Sequence, residues 1–231
     1  MTFTLIKNRA RARFNENLTY LNYLTSLESN DATIPATTEL KIMKGLFYVH
    51  LYSSLEKTVN DLIENTLISI NSQSIKKKHF HLPFNTISLL GKLQAFKDCG
   101  YKNFFGKAIE IFEEMNSDSV SNINETAFSN SLQNVCKKTI IEILSAFGIT
   151  NFTIDPRTRT TIDEIVEKRN AVAHGRESAT YVGERFRTTD LRIKMNTITA
   201  FTFELIDLFE NYHDNKKFIK PQSKKHYVAT P

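Results

Sequence analysis

Arg169, Asn170 and His174 stand together in Glu167-Lys-Arg-Asn-Ala-Val-Ala-His-Gly175, and their side chains suit work on a phosphate. Imidazole is the side chain best poised to move a proton near neutral pH. Guanidinium is the natural partner of a phosphate and of the negative charge that builds up during phosphoryl transfer. A carboxamide can orient either of them, or a substrate hydroxyl. Such a trio fits cleavage of RNA, whose 2′-hydroxyl is an internal nucleophile. No carboxylate cluster or Cys/His set is spaced to hold a metal, so no metal or other cofactor is expected.

The trio needs a helix to carry it. Thr161-Ile162-Asp163-Glu164 reads as a capping box, and Gly175 as the residue that closes the helix after His174. On a helical wheel Ile162, Ile165, Val166, Val172 and Ala173 form an apolar stripe, with Arg169 in its middle. An arginine there is costly unless it meets a carboxylate or an anionic ligand. Asn170 and His174, four apart, share a neighbouring face. Arg169 and His174 lie about 140° apart, so pairing two copies of the helix in a homodimer would help bring them together. The residues alone leave another account open: Arg169 in an internal salt bridge, and His174 as a helix-terminal residue favoured by the dipole.

The rest of the chain supplies more helices. Of 231 residues only 7 are Gly and 5 Pro, which favours helices over a many-turned all-β fold. A first helix reaches about Leu27, with Phe14, Leu18, Leu21 and Leu24 on one side. A polar stretch with Pro35 ends it. Leu40, Met43, Phe47, Leu51, Leu55, Val59, Leu62 and Leu67 then mark a long helix over 37–70. Shorter helices are expected over 85–115, another over 129–147 stopped by Gly148, and a last one over 188–212. The expectation is an all-α bundle of five to seven helices. It divides into an N-terminal helix and linker (1–36), a main helical domain (37–213) and a basic tail (214–231).

Charge and cysteine content set the surroundings. The net charge is +5, and the segment from Asn211 onward holds Lys216, Lys217, Lys220, Lys224 and Lys225 against Asp214 alone. A second cluster comprises Lys7, Arg9, Arg11 and Arg13. Both basic ends lean towards a nucleic-acid role. Lys76 to Lys78 read as a solvated charge run, and His79 and His81 as an exposed loop pair without a third metal ligand. Tyr48 and Tyr52 read as packing residues. Cys99 and Cys136 cannot make a disulfide framework and read as reduced core thiols. No apolar run approaches membrane-spanning length, and the expected location is cytoplasmic.

Arg169-Asn170-x-x-x-His174 resembles the Arg-x4–6-His signature of the HEPN superfamily, in its common Arg-Asn-x-x-x-His form. Residues 162–175, the helix ending Ala-Phe-Gly148-Ile, and Tyr48-Val-His-Leu-Tyr-Ser-Ser-Leu-Glu56 resemble stand-alone bacterial HEPN proteins of defence and toxin–antitoxin neighbourhoods. The resemblance implies an α-helical bundle, a homodimer that brings two motifs together, and metal-independent endoribonuclease activity. It implies that His174 transfers protons, Arg169 binds the phosphate and Asn170 positions them. Glu56, on the long helix, is the candidate supporting residue, against a solvated glutamate paired with Lys57 or Asn60. Lys168 and Arg176 would be substrate-binding cations beside the RNA. Arg176 also stands where silenced HEPN toxins often carry a modified tyrosine, which argues against that form of regulation. An antitoxin or defence-system protein is the implied partner. The alternative is a non-catalytic HEPN module that dimerises and binds RNA, nucleotide or a partner protein.

Overall fold

The computed structural model describes residues 3–31 and 33–227. Among them are nine α-helices, short 3-10 turns and no strand, so the all-α expectation is met. The first helix, α1 (Phe3–Leu27), buries Phe3, Ile6, Ala10, Phe14, Leu21 and Leu24 at helical spacing. Leu18 falls off that face and stays exposed. Thr37 caps α2 (Thr38–Asn71) by accepting the Leu40 N–H. At 1.5 Å per residue α2 is a beam about 50 Å long, and α1, α7, α8 and α9 all pack on it. The apolar positions read from the sequence line its buried face, with Met43 partly covered.

The middle of the chain folds as α3 (Asn85–Ser88), α4 (Leu90–Lys97) and α5 (Phe104–Met115), close to expectation. The helix expected over 129–147 is broken. A 3-10 turn spans Ser131–Gln133, the chain is extended at Asn134 and Cys136, and only α6 (Lys137–Phe147) is α-helical. Bonds to α2 explain the break. The Val135 N–H donates to the Tyr52 hydroxyl at 2.8 Å, and Asn60 Nδ2 donates to the Leu132 carbonyl at 3.2 Å. These groups serve a neighbouring helix instead of their own. Gly148 closes α6 in the left-handed region, at φ 76°.

Two other expectations are corrected, and the C-terminal segment proves ordered. The motif helix, α7 (Pro156–Ala173), starts five residues early because Asp155 caps it with Pro156 in its first turn, and no capping box forms at Thr161. The polar connection before α9 (Thr188–Asp214) contains a six-residue helix, α8 (Ala179–Glu184). The basic tail, as far as residue 227, is docked. Phe218 and Ile219 are fully buried, the Phe80 and Ile219 backbones bridge, and the Tyr227 hydroxyl accepts the Lys76 N–H at 3.0 Å. The body therefore keeps this segment in place.

Two glycines explain how α8 sits so close to α2. A Cβ added at Gly183 would lie 1.8 Å from the Lys41 carbonyl, and one at Gly45 would lie 2.0 Å from the Ala179 carbonyl. The two helix backbones touch at these points. Next to this contact, Lys44 is buried and reaches Glu28 at 3.0 Å and the Phe186 carbonyl at 2.7 Å. The other Glu28 oxygen accepts the N–H and hydroxyl of Thr188 at 2.9 and 2.7 Å. Burial pushes the Glu28 carboxyl up, but Thr188 and Lys44 outweigh it and hold it below the usual range. This knot ties the end of α1, the start of α9 and α2 together.

Candidate functional site

Helix α7 turns Ile162, Ile165, Lys168 and Ala171 inward and leaves Ala173 exposed, so its buried stripe is rotated from the expected one. Arg169 falls on the flank that faces α2. Its side chain is only 16% exposed, and its guanidinium carbon stacks 3.7 Å from the centre of the Tyr52 ring. Nη1 donates to Asn170 Oδ1 at 2.8 Å. Nη2 stands 3.6 Å from Glu56 Oε1, within ion-pair range but too far for a hydrogen bond. Nε is buried and has no hydrogen-bond partner among the described residues. The edge formed by Nε and Nη2 therefore makes no hydrogen bond, and the Glu56 carboxylate stands beside it.

Sequence reasoning found Glu56 but missed the residue that links it to Arg169. The Tyr52 hydroxyl donates to Glu56 Oε1 at 3.1 Å while accepting the Val135 N–H. Burial, followed by the Glu56 charge, pushes the Tyr52 phenol up to about 12, against the opposing pull of Arg169. It stays protonated at neutral pH, so it is a donor and a stacking surface and no base. Tyr52 is core, as expected, but it is also the platform for Arg169. The signal was present in its i, i+4 spacing from Glu56. Asn60 and Lys57 are not Glu56's side-chain partners: Asn60 bonds the Glu56 carbonyl, and Lys57 pairs with Asp61.

His174 ends the helix. Its N–H donates to the Asn170 carbonyl, and a Schellman motif follows, with Gly175 N–H to the Val172 carbonyl and Arg176 N–H to the Ala171 carbonyl. Gly175, at φ 68°, makes that turn possible. The imidazole is exposed and makes no side-chain hydrogen bond or ion pair among the described residues. One protomer brings Arg169, Asn170, Tyr52 and Glu56 together, and no side-chain hydrogen bond or ion pair joins His174 to them among the described residues. Arg176 is exposed at the turn, where it can meet a polyanion.

Other expected cations are used differently. Lys168 is buried, 3.3 Å from Glu167 and 3.9 Å from Glu177, and does not offer a surface charge. Lys7 pairs with Asp207 and Glu210, and Arg13 with Asp61, which takes half of the N-terminal basic cluster inward. Lys76 and Lys78 share Asp118, whose carboxyl they pull down to about 2. Of the expected exposed pair His81 is exposed, whereas His79 is half-buried and stacks on His226 with ring centres 5.2 Å apart. Cys99 and Cys136 are free and half-buried rather than core. Among the described residues no three His, Cys, Asp or Glu side chains gather as a metal-ligand set, and no helix is long and apolar enough to cross a membrane.

The RiboL-PSP-HEPN family model matches residues 11–215, nearly the whole helical body. The chain belongs to the HEPN superfamily. No curated protein and no solved structure gives a further match. In this HEPN domain the match begins inside α1 and ends just past α9, so it takes in most of α1 and all of α2, α7, α8 and α9. The family is consistent with ribonuclease or nucleotide-binding function, the class of chemistry that Arg169 and His174 suit.

Proposed function

We propose that this HEPN domain is a metal-independent endoribonuclease acting as a toxin or defence effector, with its site completed in a homodimer. The observation that carries the reading is the Nε–Nη2 edge of Arg169, which makes no hydrogen bond and faces Glu56, on a guanidinium stacked against Tyr52. That edge presents two parallel N–H groups, the geometry that grips a phosphate by two oxygens. Glu56, too distant to bond, holds the place that a phosphate takes when it enters. Asn170 secures the opposite side of the guanidinium and positions it.

Chemistry follows from the substrate's own nucleophile. The 2′-hydroxyl oxygen attacks the adjacent phosphorus while one His174 takes its proton. The 5′-oxygen leaves with a proton, which His174 of the partner subunit supplies in the dimer. The products are a 2′,3′-cyclic phosphate and a free 5′-hydroxyl. The proposed dimer is supported by the pairing common among HEPN domains and by the angle of about 140° that separates Arg169 from His174 on an ideal helix.

The test is cleavage of an end-labelled single-stranded RNA in the presence of a chelator. His174→Ala should lower the rate by about 10² to 10⁴, the usual contribution of a proton-transfer group, while RNA binding and the dimer persist. Arg169→Lys should also fail, because an ammonium cannot reproduce the two-toothed edge. Activity lost to the chelator and restored by magnesium, or equal cutting of DNA, would overturn the mechanism. Tight RNA binding without any cleavage would favour the non-catalytic binding module.

A further inference from the structure

The short helix α8 has two faces with different tasks. Ala179, Val182 and Gly183 face α2, and the backbone contacts at Gly45 and Gly183 leave α8 no room to shift inward. Tyr181 and Arg185, four apart, share the outward face. The Arg185 guanidinium carbon lies 3.9 Å over the Tyr181 ring, yet Tyr181 remains 47% exposed. An aromatic ring backed on one side by a cation and open elsewhere is a surface for a flat, electron-rich group.

Its position ties it to the motif. The Glu177 N–H donates to the Ala171 carbonyl, so the chain entering α8 is bonded to the last turn of α7. The Glu177 carboxylate stands 3.7 Å from Arg185 and 3.9 Å from Lys168, the residue beside Arg169. One carboxylate thus connects the stack to the helix that carries the motif. Arg176, exposed in the intervening turn, adds a cation along the same path.

We propose that Tyr181, backed by Arg185, is a stacking platform for an unpaired nucleobase of the RNA strand whose phosphate enters the Arg169 site. The inference rests on the ribonuclease reading for the identity of the strand, and on the geometry of α8 for the platform. A stacked base is read by its flat face, so the platform selects single-stranded over duplex RNA and tolerates different bases.

The experiment measures binding of a short single-stranded RNA to the full chain carrying His174→Ala, by fluorescence anisotropy. Adding Tyr181→Ala should weaken binding roughly 5- to 150-fold, the range for losing one base–aromatic stack, and Tyr181→Phe should leave it unchanged. The loss should be similar at low and high salt, since a stack releases few counterions. Moving a single abasic residue along the RNA should reveal one position at which the Tyr181→Ala loss disappears. Equal affinity of the Tyr181→Ala protein, a loss blind to every abasic position, or no RNA binding at all would each overturn the proposal. The two readings fail separately. Cleavage with Tyr181-independent binding removes only the platform, whereas Tyr181-dependent binding without wild-type cleavage removes only the nuclease.

Discussion

Replacing Gly183 with Ala should loosen the frame of the site without touching any functional group. The new Cβ would start 1.8 Å from the Lys41 carbonyl oxygen, where ordinary contact begins at 3.4 Å, so α8 must retreat by about 1.6 Å. Neither side can yield cheaply, because the obstacle is helix backbone and not the end of a side chain. Overpacking of this kind costs about 1–3 kcal/mol, and opening the contact around fully buried Val182 places this case near the upper end. Against a total stability of about 5–15 kcal/mol, a loss of about 3 kcal/mol is large. With a slope of about 2 kcal/mol per molar, the urea midpoint followed by far-UV circular dichroism should fall by about 1.5 M. Gly91→Ala is the internal control: nothing lies within 4 Å of its Cβ position, and it sits inside α4. It should raise stability by about 0.5 kcal/mol through the unfolded state. A Gly183→Ala midpoint equal to that of the unmodified protein would refute the contact between α8 and α2 on which the platform depends.

Truncation after Asp214 should destabilise the body by roughly 3–6 kcal/mol, the burial of Phe218 and Ile219 together, and this would appear as a lower melting temperature. Tyr52→Phe should cost about 1–3 kcal/mol because the buried Val135 N–H loses its acceptor, yet RNA cleavage should stay within tenfold since the ring under Arg169 remains; a loss as deep as that of Arg169→Ala would show that the hydroxyl itself takes part. Acid should loosen the docked C-terminal segment. Burial first, then His226, Lys78 and Lys76, hold the His79 pKa below its ordinary 6.5, so the stability it contributes is present above that pH and declines as pH falls through 6.5 to its lower folded value. Amide exchange over 216–227 that is slower at pH 5.5 than at pH 7.5, after correction for intrinsic rates, would contradict this.

The helices that the sequence showed best were those whose apolar residues recur without competition. The face of α2 could be read residue by residue, because most of its apolar positions are buried against other parts of the fold, with only Ile42, Leu46 and Ile68 left exposed. The motif was equally legible: Arg169 on an apolar flank demanded a partner, and Glu56 was within the shortlist. What stayed hidden depended on contacts distant in sequence. Val135 and Leu132 give their backbone groups to Tyr52 and Asn60, which breaks an otherwise convincing helix. The start of α7 went to Asp155 and Pro156, a local signal as good as the capping box chosen over it. Helix α8 was missed because its packing face is made of an alanine, a valine and a glycine, too small to show as an apolar run. The lysines of the C-terminal segment masked Phe218 and Ile219, two residues that outweigh them in the fold.

The knot of Glu28, Lys44 and Thr188 lets ionic strength act on two parts of this domain unequally. Arg176 and Arg185 are exposed, so any hold they take on a polyanion would be screened over a Debye length of about 8 Å in physiological salt. The pair between Lys44 and Glu28 is shielded from mobile ions, with Lys44 only 3% exposed. Raising the salt should therefore strip nucleic acid from the surface while the junction of α1, α2 and α9 stays closed. A salt series therefore separates what the surface holds from this buried junction, which it leaves in place.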